Sequence, residues 1–175
     1  MPMTSALTRK RVVAAARAMI GRRDVDFGST SPAEGLVCID VFVYACEAAG
    51  IPFRALMSRL YHQNPSVYPP DGGTPADVNF PRRIRNVIAF LRALGLWFPN
   101  GPGLPGRLVT FGDGPGEPAH SGVVSEASSD GAMRVIMTTG FGGPLAVREV
   151  ELAAYLRVHP EFFIAGYGEP PEIDF

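Results

Sequence analysis

Two cysteines and three histidines carry most of the covalent chemistry open to this chain. Cys38 lies in EGLVCIDVFVYACEAAG, residues 34–50, two residues before Asp40 in a run that is otherwise almost wholly apolar. If a helix begins near Cys38, the sulfur sits at its N-terminus, where unpaired N–H groups and the helix dipole favour a thiolate. That environment turns a cysteine into a nucleophile, against the plainer reading that free cysteine is a small hydrophobe that packs. Cys46 falls mid-helix among apolar neighbours, about 12 Å along the axis from Cys38, so both thiols are expected to be free.

A thiolate nucleophile needs a group that accepts and returns a proton near neutral pH, and histidine is the usual one. His62 in LYHQNPS reads as a solvent-facing residue at a helix end, and His159 in RVHPEF precedes a proline at a turn. His120 in PAHSGVVSE opens a strand-like segment directly after the loop GDGPGEP, so its ring can project from a sheet edge into a cleft. His120 is the best base, set against the equally common hydrogen-bonded histidine at a strand end. The histidines and cysteines show no paired ligand spacing, so neither a metal nor another cofactor is expected.

The elements that must carry this pair divide the chain in two. TRKRVVAAARAMIG reads as an amphipathic helix with Thr4 or Ser5 as N-cap and Gly21 as stop. Residues 34–50 alternate as a strand would at Val37, Ile39, Val41 and Val43, but their length, the Ala-rich end and Gly50 favour a buried helix of about three turns. A weaker helix runs from Arg54 to His62. NFPRRIRNVIAFLRALG gives the most regular helix, from Asn79 with Pro81 in its first turn to the stop at Gly95. After Pro105, GRLVTF, HSGVVSE, AMRVIMTTG, LAVREV and FFIAGYG read as antiparallel strands, with one short helix at VELAAYLRV. Helices first and sheet second make an α+β domain over residues 1–175, with a core of about 7–167 and a loosely held tail over 168–175.

The 175 residues include 46% hydrophobic and 19% charged side chains and carry a formal net charge of -1, which gives no electrostatic ground for nucleic acid or an anionic membrane as main partner. No stretch is long and apolar enough to span a membrane. Arg17 interrupts the early Ala-rich run, so no cleavable signal is expected; the protein is placed in the cytoplasm or exported by a dedicated apparatus.

The order RVVAAARAMIG, GLVCIDVFVYACEAAGI, PGRLVTF, AHSGVVS resembles the NlpC-type cell-wall peptidases, a bacterial branch of the papain-like cysteine hydrolases. A closer likeness is to a less characterised bacterial family in that group, with a Val-Cys-x-Asp motif and a two-arginine segment like RRIRN. The resemblance implies a papain-like fold, N-terminal helices packed on an antiparallel sheet, in which the Cys38 thiolate attacks an amide carbonyl and His120 serves as general base. Peptidoglycan stem peptides are the implied substrate, with backbone N–H groups near Cys38 holding the oxyanion. The tyrosine usual upstream of the cysteine is absent, Phe27 being nearest. Arg107 stands where an acid is usual, and Thr138 or Thr139 must orient the histidine where His, Asn or Gln is usual.

Asp40 recurs in the closer family and by resemblance belongs to the site or supports it. Near a thiolate its charge is unfavourable, and a salt bridge to Arg82, Arg83 or Arg85 would remove the conflict, which favours a structural role. Arg82 and Arg83 are also candidates for binding a substrate carboxylate. The rival readings are an acyltransferase using the same thioester, a degenerate papain-like domain that only binds, and an arginine-mediated ligand or nucleic-acid binder. The sequence carries no feature that speaks for or against an inhibitor protein.

Overall fold

A computed structural model of the chain describes residues 4–23, 35–114 and 118–172. At its centre lies a six-stranded antiparallel sheet of β1 (Trp97–Phe98), β2 (Leu108–Gly112), β3 (His120–Val124), β4 (Arg134–Thr139), β5 (Ala146–Glu151) and β6 (Phe163–Gly168), in the order β1-β6-β2-β3-β4-β5. Before it in the chain come the helices α1 (Ala6–Arg17), α2 (Asp40–Ala48), α3 (Phe53–Gln63) and α4 (Ile84–Ala93); α5 (Leu152–Val158) joins β5 to β6. The architecture is α+β, with N-terminal helices packed on an antiparallel sheet. Each of the five segments read as strands forms one. The additional β1 pairs Trp97 with Gly168 and is too short to leave a periodic signal.

Alternation along the strands divides the core into two layers. Leu108, Val123, Ile136 and Val147 face the side on which α1, α2 and α4 bury Val12, Phe42 and Leu91. On that side Phe53 joins Phe42 to Phe90 by edge-on contacts, with centroids 5.5 and 5.1 Å apart. Val109, Phe111, Val124, Val135 and Met137 face the opposite side, where α5 contributes Leu152 and Tyr155. Among the described residues no single helix is long and apolar enough to cross a membrane.

Local chemistry sets the helix ends. The Ser5 hydroxyl caps α1 by accepting from the Thr8 N–H at 3.1 Å. Gly50, with φ at +92°, lets the chain reverse after α2, and Ile51 N–H then returns to the Cys46 carbonyl at 2.9 Å.

Two expectations are corrected. The helix expected from Asn79 is broken into a 3-10 turn, Phe80–Arg82, and α4, with Arg83 between them in extended backbone. At the break Arg83 bonds the Gly72 carbonyl and Asp77 of the preceding loop, and the Asn86 side chain donates to the carbonyls of Gly72 and Phe80, both at 2.8 Å. The C-terminal segment is anchored at least to Pro171. Glu169 is fully buried between Arg9 and Arg107, its N–H donates to Leu96, and the Pro170 carbonyl accepts from the Thr4 hydroxyl. A buried carboxylate held by two guanidiniums cannot be a loose end.

Candidate active site

Cys38 occupies a turn, two residues ahead of α2 rather than on its first residue. Asp40 closes that turn in both directions: its N–H donates to the Val37 carbonyl at 3.0 Å, and its Oδ2 accepts from the Val37 N–H at 3.0 Å. The same carboxylate receives Arg82, with Nε 3.2 and 3.1 Å from the two oxygens and Nη2 3.0 Å from Oδ2. Both side chains are buried. Burial pushes the Asp40 carboxyl above its ordinary value, opposed by the Val37 N–H and the Arg82 guanidinium. The sequence therefore folds locally around an ion pair that ties the 3-10 turn to the backbone carrying the sulfur.

Cys38 is half-buried, whereas Cys46 is sealed in α2 and its thiol is pushed well up by burial and then by the charge of Glu47. His120 is the first residue of β3 and lies directly across from Phe111 on β2. Its ring is enclosed by Phe111, Phe162 and Tyr155, with centroids 6.0, 6.3 and 6.3 Å away. This enclosure lowers the imidazole to about 4. The Thr138 main chain partly opposes the shift, as only a carbonyl acceptor can, and the charge of His159 reinforces it.

A cleft of about 560 Å³ opens beside the ring, lined among others by His120, Thr139, Phe141, Tyr155, His159 and Phe162. Tyr155 packs on the His120 ring, while Cys38 is not among the residues that line the cleft. The Tyr155 phenol is pushed up to about 12 by burial first, then by the charges of Glu161 and Cys38, so the sulfur stands within electrostatic reach of the ring packed on His120.

Neither a scan of protein-family models nor a search of curated proteins finds a match. The site must be read from its own geometry.

Thr138 reaches His120 through its main chain, not through a hydroxyl. The alternation of β4 sets Thr138 with Ile136 on the α2 side of the sheet, and Thr139 with Met137 on the α5 side. The Thr139 hydroxyl accepts from the Phe141 N–H at 3.0 Å and shapes the turn beside the cleft. Arg82 is committed to Asp40, while Arg83 Nη1 bonds the Gly72 carbonyl at 2.6 Å and Asp77 at 2.9 Å. Arg85 bonds Asp71 at 2.6 Å. Arg83 and Arg85 hold the preceding loop against the start of α4, and none of the three arginines lines the cleft. Arg107, at the position where the resemblance leads one to seek an acid, is buried against Glu169.

His159 belongs to the cleft although its sequence context suggests only a turn. Its ring lies 4.5 Å from Tyr155, and Nδ1 is 3.2 Å from Glu161 Oε1. The signal was the spacing: a histidine four residues after Tyr155 falls on the same face of α5. His62 is exposed on α3 and does not line the cleft. Among the described residues no group of three His, Cys, Asp or Glu side chains comes together to hold a metal ion. Phe27 and part of the loop ahead of His120 lie outside the described residues.

Proposed function

We propose that this chain is a cysteine hydrolase of the papain-like type, cleaving an amide or peptide bond with Cys38 as nucleophile and His120 as general base. The reading is supported by a half-buried cysteine on a clamped turn ahead of α2 and by an enclosed, neutral histidine at the wall of an open cleft. The order of motifs resembling the NlpC-type peptidases supports it.

His120 is neutral at pH 7, because its pKa is held near 4. A neutral imidazole has a lone pair ready for the thiol proton. On attack, sulfur bonds the carbonyl carbon while its proton passes to His120, and the imidazolium is stabilised by the negative charge created beside it. His120 then returns that proton to the departing amine as the carbon–nitrogen bond breaks, leaving a thioester. Water attacks the thioester with His120 again as base, releasing the acid and restoring the thiol.

Peptidoglycan stem peptides are the substrate class that the resemblance suggests, and purified muropeptides incubated with wild type and Cys38→Ala, with products resolved by mass, test it. The chemistry is tested independently by iodoacetamide. Labelling should fall on Cys38 and not on Cys46, and His120→Gln should slow it. Equal labelling rates in wild type and His120→Gln between pH 6 and 8 would remove His120 as the base.

A further inference from the structure

The cleft beside His120 differs from the rest of the surface in what its walls offer a ligand. Phe141, Tyr155 and Phe162 form the interior, while Leu145 and Val158 stand on the rim with 62% and 60% of their surface in water. Among the described lining residues there is no lysine, arginine, aspartate or glutamate; the titratable groups are His120, His159 and the Tyr155 phenol. The Glu161 carboxylate is held against His159 at 3.2 Å, where it opposes entry of a second negative charge. Arg82 and Arg83, the candidates for carboxylate recognition, are bound to Asp40 and Asp77 instead. Two large aliphatic side chains left in water at the mouth of an aromatic cavity mark a site whose occupant covers them.

Resting on the hydrolase reading above, we propose that this cleft takes an uncharged apolar group of the substrate, an aliphatic or aromatic side chain or acyl chain next to the scissile carbonyl, and that Leu145 and Val158 determine this specificity. The ligand class is then a hydrophobic amide, and an acidic peptide segment belongs elsewhere or not at all. Burial of even two methylenes against such a wall changes affinity by roughly tenfold.

Three soluble amides discriminate the possibilities: acetamide, hexanamide, and adipamic acid, which matches hexanamide in length but ends in a carboxylate. Binding to Cys38→Ala, followed by NMR shifts of the His120 and His159 rings, removes chemistry from the measurement. Hexanamide should bind about tenfold more tightly than either of the others, and Leu145→Asp or Val158→Asp should abolish that preference. Leu145→Asn serves as a second variant without added charge, and both positions are exposed enough to accept substitution without unfolding. Adipamate binding as well as hexanamide, equal binding of all three, or no binding of any of them overturns the proposal. Wild-type turnover of the corresponding 4-nitroanilides separates the two readings: hexanamide preference without Cys38-dependent hydrolysis keeps the apolar site and removes the hydrolase, whereas hydrolysis that favours the adipoyl anilide does the reverse.

Discussion

Replacing His120 with asparagine isolates the electrostatic consequence of its aromatic enclosure. With the folded ring held near 4 and an unfolded value of about 6.5, the unfolded chain binds more protons than the folded chain between those two values. Stability is therefore fully present above pH 6.5 and is lost as pH falls toward 4. The complete shift corresponds to about 3 kcal/mol, of which about 2 kcal/mol is already lost at pH 5. Asp71, Asp130, Glu149 and Glu161 have folded values below their ordinary ones, so their contributions fade mainly at lower pH. Urea unfolding at pH 7 and pH 5 should give His120→Asn a pH dependence smaller than that of wild type by about 2 kcal/mol. An NMR titration of the wild-type ring should find its midpoint near 4. Identical pH dependence in the two proteins, or a midpoint above 6, would refute the enclosure and the neutral base built on it.

Asp40→Ala leaves the buried Arg82 without its carboxylate and should cost about 3–5 kcal/mol by urea unfolding, with part recovered in the Asp40→Ala/Arg82→Met double variant. Glu169→Gln weakens a carboxylate buried between Arg9 and Arg107; a melting temperature unchanged from wild type would contradict the anchoring of the C-terminal segment. Gly106 has φ at +86°, and a Cβ there would lie 2.6 Å from the Arg9 carbonyl oxygen. Gly106→Ala should therefore lose about 1–3 kcal/mol, which calorimetry will register as a lower melting temperature.

The sequence made most of this arrangement readable because periodicity and caps act locally. Ser5 and Gly50 mark helix ends by backbone chemistry that neighbours within a few residues decide, whereas α1 stops at Arg17, ahead of the expected Gly21. The five main strands are short β-branched runs between turn residues, and nothing in their tertiary setting opposes that preference. Arg83 was not readable, since apolar spacing predicts one continuous helix and the break goes with side-chain contacts to Gly72 and Asp77 in the preceding loop, which periodicity does not register. The burial of Glu169 depends on Arg9, 160 residues away in the chain, and left only a polar, Pro-rich tail to be seen. His159 enters the cleft only because α5 packs its Tyr155 face onto the sheet beside Phe111. Local rules give elements, whereas membership of a site depends on which elements share a face.

The Asp40–Arg82 pair and the enclosed His120 lead to one consequence for the proposed chemistry. A carboxylate two residues from a sulfur opposes thiolate formation, and Arg82 supplies the compensating charge without itself lining the cleft. The turn thus gains rigidity from an acid without leaving a strong net negative charge beside Cys38. His120 is likewise uncharged at neutral pH, so it presents no formed cation to water before substrate arrives. An apolar group seated against Leu145 and Val158 expels water from the cleft, and attraction between a newly formed thiolate and imidazolium is stronger in that drier space. Under the proposed mechanism the proton leaves Cys38 as the carbonyl is attacked, and water excluded from the cleft beside His120 favours that step.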